Sequence, residues 1–119
     1  MKLLVIDLET TGLYASSDFI VEIGLVLVDT DTKDITLLFD HVVKDKGFNP
    51  IKHKNSWVFN NTTLTVEDVE RAEPLDSYFD ELQEYFNEYL VTAYNKTFDL
   101  SFLRAAGFIV NDTKCIMHV

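Results

Sequence analysis

The sequence predicts an α/β sandwich built on a mixed sheet. Three observations predict it: β-like apolar runs fill residues 3–43, an aromatic stripe at helical spacing occupies residues 78–90, and a short strand followed by a helix covers residues 91–106.

Leu3–Leu8 (LLVIDL) is a short, almost continuous apolar run rich in β-formers, the pattern of a buried central strand. Phe19–Val28 (FIVEIGLVLV) and Ile35–Val43 (ITLLFDHVV) are two more such runs. The polar turn Asp29–Asp34 joins them, which predicts an antiparallel connection. From Lys44 to Asn61 the pattern breaks up around Gly47, Pro50 and Asn60–Asn61, so a loop is expected. Thr65 with Asp68 three residues later predicts an N-capped short helix through Ala72. Pro74 restarts the chain, and Tyr78, Phe79, Leu82, Tyr85, Phe86, Tyr89 and Leu90 recur on one helical face, to be packed on the sheet. Val91–Tyr94 reads as a strand, Asp99–Ala106 as a helix stopped by Gly107, and Phe108–Val110 as a further strand.

A chain of 119 residues with 47% hydrophobic content can bury one ordinary core. Residues 1–119 are therefore expected to form a single domain. No run approaches the roughly 18 apolar residues of a membrane span, and Lys2 leads straight into a strand without a leader-like cleavage site. The expectation is a cytoplasmic protein with no membrane partner. One cysteine, Cys115, excludes an intrachain disulfide and a thiolate metal cluster, and reads as a small buried hydrophobe. The net charge of −10 is the wrong sign for gripping nucleic acid by a broad basic face. That objection weakens if divalent cations sit between the carboxylates and a phosphate.

Asp7 interrupts the first apolar strand, and Glu9 follows two places later. Period-2 alternation points both carboxylates to one side, where like charges raise each other's pKa unless a cation compensates them. The plainer alternative is that the strand ends at Asp7 and both acids are solvated. Thr10-Thr11-Gly12-Leu13 then turns tightly beside the acids, offering two hydroxyls and backbone N–H groups that could hold a terminal nucleotide. Further on, Asp99 sits near a helix start, where the macrodipole favours its ionised form. Trp57 is read as a packing residue.

Asp7–Leu13 (DLETTGL) resembles the first motif of the DnaQ-like (DEDD) 3′–5′ exonucleases, and Val21-Glu22-Ile23-Gly24 resembles the strand that follows it there. Asn95–Leu103 (NKTFDLSFL) is similar to the second motif, NxxFDxxFL, although Tyr94-Asn95 stands where His-Asn is more usual. A weaker likeness runs through Trp57–Asn61 and Leu64–Ala72. The resemblance implies a ribonuclease H-like fold in which the mixed sheet is flanked by helices and the C-terminal part is incomplete. It also implies a nuclease akin to the DNA polymerase III epsilon-like exonucleases, acting on the 3′ end of single-stranded DNA or RNA. Asp7, Glu9 and Asp99 would be catalytic and would hold two Mg²⁺ or Mn²⁺ ions about 4 Å apart. Thr10, Thr11, Gly12, Leu13, Asn95 and Phe98 would contact substrate.

The family's third motif, a carboxylate preceded five residues earlier by His or four by Tyr, is not found at the end of this sequence. His41 leads to Lys46, His53 to Val58, and His118 has only Val119 after it. Tyr14 precedes Asp18 by four, but this pair directly follows the first motif, and the spacing is read as coincidence. TKCIMHV resembles the segment leading towards the third motif, of the His (DEDDh) type. Weak activity is the consequence, because a missing general base removes about 10²–10⁴-fold. An absent final helix would also leave an apolar surface, open to a homodimer or a polymerase-type partner. The alternative function is a non-catalytic module of the same fold that binds nucleic-acid ends or a protein. A Ca²⁺-loop protein is disfavoured, since Asp29-Thr30-Asp31 lacks the glycine and glutamate of an EF-hand.

Overall fold

The computed structural model describes residues 1–111, so Cys115, His118 and the TKCIMHV segment lie outside the described residues. Four strands form one sheet: β1 (Lys2–Thr10), β2 (Ile20–Asp29), β3 (Ile35–Val42) and β4 (Leu90–Thr92), in the order β3-β2-β1-β4. The β1/β2 and β2/β3 pairs are antiparallel and β1/β4 is parallel. This is the mixed sheet that the three apolar runs predict, with β1 central.

Strand alternation explains the layering. Leu4, Ile6 and Leu8 on β1 and Ile23 and Leu25 on β2 point into the main core. There they meet Leu82 and Phe86 of α3 (Phe79–Glu88) and Leu100, Phe102 and Leu103 of α4 (Lys96–Ala105). The aromatic stripe is thus core contact, as expected, apart from Leu90, which starts β4 and is exposed. A bulge between Glu9 and Thr10 lets Val21 reach the other side of the sheet. Val21 joins Phe48, Val58, Leu64 and Val69 in a second cluster, which carries α1 (Trp57–Asn61) and α2 (Val66–Arg71).

The capping box is present at α2: Thr65 Oγ1 accepts the Asp68 N–H at 3.1 Å, and Asp68 Oδ2 accepts the Thr65 N–H at 3.0 Å. Two expectations are corrected. Lys44–Asn61 is not loop throughout, because Trp57–Asn61 forms a five-residue helix. Ser56 makes no side-chain cap, so the usual N-terminal mark is missing. The helix is instead closed at its other end by Asn61 Nδ2 donating to Trp57 O at 2.8 Å and Thr62 Oγ1 donating to Val58 O at 2.7 Å. Phe108–Val110 is not a strand either. The Gln83 side chain occupies its backbone, donating to Ile109 O at 2.8 Å and accepting the Ile109 N–H at 3.0 Å, while the Phe108 ring stacks on Phe79. Gly107 ends α4 in the left-handed region at φ 101°, as a helix stop requires.

Candidate active site

β4 is only three residues long and pairs with Leu3, Leu4 and Val5, so β1 runs on past it towards Thr10. Three residues separate β4 from α4, and the first turn of α4 carries Asp99 to that overhanging end of β1. Clefts in open α/β sheets form where neighbouring strands part in this way. β1 runs on to Thr10 and does not end at Asp7, so Asp7 and Glu9 both lie inside the strand, on the face opposite the main core.

The three carboxylates differ in environment. Asp7 is exposed, Glu9 half-buried and Asp99 buried. Burial pushes the Asp99 carboxyl up to about 6, and the charges of Asp7 and Glu9 add to the rise. Glu9 is raised by burial, then by Asp7 and by Glu22. Sequence reading did not single out Glu22 as a site residue. It stands directly opposite Glu9 across the β1/β2 ladder, and its own carboxyl is raised by burial, then by Asp40 and Asp7. Its signal was a lone acid in an apolar strand, legible only once the register was known. An oxygen-only donor set whose members destabilise one another's charge suits a hard divalent cation. As they stand, no three Asp, Glu, His or Cys side chains among the described residues converge on one ion position.

Beside Glu9 opens a pocket of about 420 Å³, lined by Leu8, Glu9, Thr10, Thr11, Gly12, Leu13, Trp57 and Phe98. Trp57 is corrected here. It is not a packing residue but 69% exposed, and with Leu13, 75% exposed, it presents apolar surface to this pocket. Phe98 serves both roles, half-buried against Phe102 at 4.9 Å between ring centroids and lining the pocket.

The expected substrate-contacting hydroxyls are largely engaged within the protein. Thr11 is buried; its Oγ1 donates to Asp18 Oδ1 at 3.1 Å and accepts the Phe19 N–H at 3.0 Å. Thr10 Oγ1 donates to Gly12 O at 2.7 Å. Asn95 caps α4, its Oδ1 accepting the Phe98 N–H at 3.4 Å, while the neighbouring Tyr94 is fully exposed. Tyr14 and Asp18 form no acid–base pair directed at the carboxylates: Asp18 Oδ2 accepts the Tyr14 N–H at 3.1 Å and shapes the turn.

The mixed sheet and its flanking helices define a ribonuclease H-like fold, and the carboxylates sit at the open end of β1. The exonuclease family (RNase_T) matches residues 4–115, and the chain belongs to that family, within the DnaQ-like superfamily. Among curated relatives, the PolC-type DNA polymerase III of Ureaplasma parvum is 30% identical over 100 residues, and that of Streptococcus sanguinis 29% over 99; each alignment covers 83% of this chain. The chain spans only 6% of the length of those polymerases. Among solved structures, the nuclease domain of 3′hExo, a DEDDh family member bound to rAMP, superposes with a TM-score of 0.68 at 19% identity, covering 88% of this chain and 57% of that one. E. coli Exonuclease I in complex with a dA16 oligonucleotide gives 0.64 at 17% identity, with coverage of 87% and 23%. Among the described residues no helix is long and apolar enough to cross a membrane.

Proposed function

We propose that residues 1–119 are part of a single 3′–5′ exonuclease domain that binds the 3′ end of single-stranded DNA or RNA. The observation that carries this reading is the junction of Asp7, Glu9 and Asp99 with the Trp57–Leu13–Phe98 pocket at one end of β1. In this reading the terminal base enters the apolar pocket and the scissile phosphate lies over the carboxylates. Asp7, Glu9 and Asp99 would hold two Mg²⁺ or Mn²⁺ ions, which when bound supply an activated water and stabilise the leaving 3′ oxygen. Asp7, the most exposed of the three and the one whose charge reaches Glu9, Glu22 and Asp99, would contribute to holding both ions. Burial of Asp99 limits reorientation of its carboxylate, while the exposed apolar side chains of Leu13 and Trp57 would pack against the base. The chain carries no HxxxxD spacing, so a fourth carboxylate and a general base would come from outside these 119 residues, and the chain by itself would be weakly active.

The test is to incubate the 119-residue chain, and a form carrying an HxxxxD segment after Val119, with 3′-terminal single-stranded DNA and RNA and Mn²⁺. The expected result is 3′ shortening by the longer form, abolished by Asp7→Ala. A second reading, a module that binds ends without cutting, is favoured by the missing HxxxxD spacing and by the lack of three converging ligands among the described residues. End binding without shortening by either form would select it.

A further inference from the structure

The turn after the two strand carboxylates is held by an acid that the proposed reaction does not use. Asp18 lies just before β2, yet both of its oxygens point back across the turn: Oδ1 accepts the Thr11 hydroxyl at 3.1 Å and Oδ2 accepts the Tyr14 N–H at 3.1 Å. Its own N–H donates to Tyr14 O at 2.7 Å, and the Thr11 N–H donates to Phe19 O at 2.9 Å. The carboxylate also lies flat against Gly12. A methyl group at Gly12 would sit 2.5 Å from Asp18 Oδ2 and 2.6 Å from its Cγ, contacts no real side chain makes. Gly12 has no positive φ, so glycine is needed here for close approach and not for backbone freedom.

Gly12 and Leu13, the residues clamped between Thr11 and Tyr14, line the same pocket as Trp57 and Phe98. We propose that Asp18 is a positioning residue for substrate: by fixing the Thr11–Tyr14 turn it sets how far Leu13 stands from Trp57, and so the width of the slot that receives the terminal nucleotide. The proposal rests on the nucleotide-end reading given above. Its physical content is that a short carboxylate accepting two hydrogen bonds braces the turn from inside, so a 75% exposed leucine stands on a held backbone.

Trp57 is the only tryptophan, so its emission reports directly on the slot. The chain is titrated with adenosine 5′-monophosphate in the presence of Ca²⁺, alongside Asp18→Ala, Asp18→Asn, Gly12→Ala and the double variant Gly12→Ala/Asp18→Ala, each first shown folded by circular dichroism. Asp18→Ala is expected to weaken binding about tenfold or more, since small misplacements of positioning groups carry penalties of this size. Asp18→Asn keeps the acceptor for Thr11 and loses the one for Tyr14, so it should fall between. Gly12→Ala should weaken binding by forcing Asp18 out, and the double variant should be no weaker than Asp18→Ala alone, because the clash partner is gone. A wild-type chain that quenches on binding, with Asp18 variants that stay folded and bind equally well, overturns the assignment of Asp18 alone. Additive losses in the double variant overturn it too. If the folded wild-type chain shows no quench, the nucleotide-end reading and this one both fall.

Discussion

Glu9 on β1 and Glu22 on β2 are direct cross-strand partners, and each carboxyl is raised above its ordinary range by partial burial first and by neighbouring carboxylates second. A ladder does not place two acids opposite each other for stability; like charges in that position cost a few tenths to about 1 kcal/mol. Neutralising Glu22 while keeping its shape should therefore help the metal-free fold. Glu22→Gln is expected to raise unfolding stability at pH 7 by up to about 1 kcal/mol, read by urea titration without divalent ions.

Asp99 predicts a pH dependence with a definite sign. Its carboxyl is held up to about 6 by burial and by Asp7 and Glu9, against 3.8 for an ordinary aspartate. The folded state thus holds the proton more tightly than the unfolded chain, so this group's contribution is fully present below about pH 4 and is lost as pH rises through about 6. Relative to Asp99→Asn, wild-type stability should decline across that window, by up to about 3 kcal/mol. Parallel pH profiles of the unfolding midpoint for the two proteins check it, and superimposable profiles would refute it.

Divalent cations should reverse both penalties. With Mn²⁺ at 100 times its dissociation constant the fold should gain about 2.7 kcal/mol, visible as a higher melting temperature that chelation abolishes. Asp7→Ala should remove most of the gain, since the Asp7 charge bears on Glu9, Glu22 and Asp99 alike.

Thr92 on β4 supplies a test independent of the proposed chemistry. Its hydroxyl is buried, and among the described residues it has no hydrogen-bond partner. An unmet buried hydroxyl costs about 1–3 kcal/mol, so Thr92→Val should be neutral or stabilising by about 1 kcal/mol in thermal unfolding, and a clear loss would reveal a hidden partner.

How legible all this was in the sequence varied with the range of the interactions. β1, β2 and β3 were readable because each is a run of β-formers bounded by polar turns, and the Thr65–Asp68 cap was readable because both partners lie within one helical turn. Asp7, Glu9 and Asp99 stood out as acids in apolar settings with a family spacing. Glu22 did not, because its meaning depends on the β1/β2 register and on the bulge at Glu9/Thr10. Trp57 was misjudged because a large aromatic residue is usually packed, and only the tertiary fold brings it beside Leu13 and Phe98. Phe108–Val110 looked like a strand by composition, but a single side chain, Gln83, took the place of a ladder neighbour.

The brevity of β4 has a consequence for how the molecule breathes. Beyond Val5, β1 has among the described residues a strand on one side only, so its amides should exchange with solvent in alternation: slow where they face β2, fast where they face the side β4 has already left. The acids of β1 are then mounted on a half-supported beam, stiff in the plane of the β1/β2 hairpin and compliant across it. Under the proposed function, such a mounting would let the carboxylates draw together around a cation without disturbing the core beneath Leu4, Ile6 and Leu8.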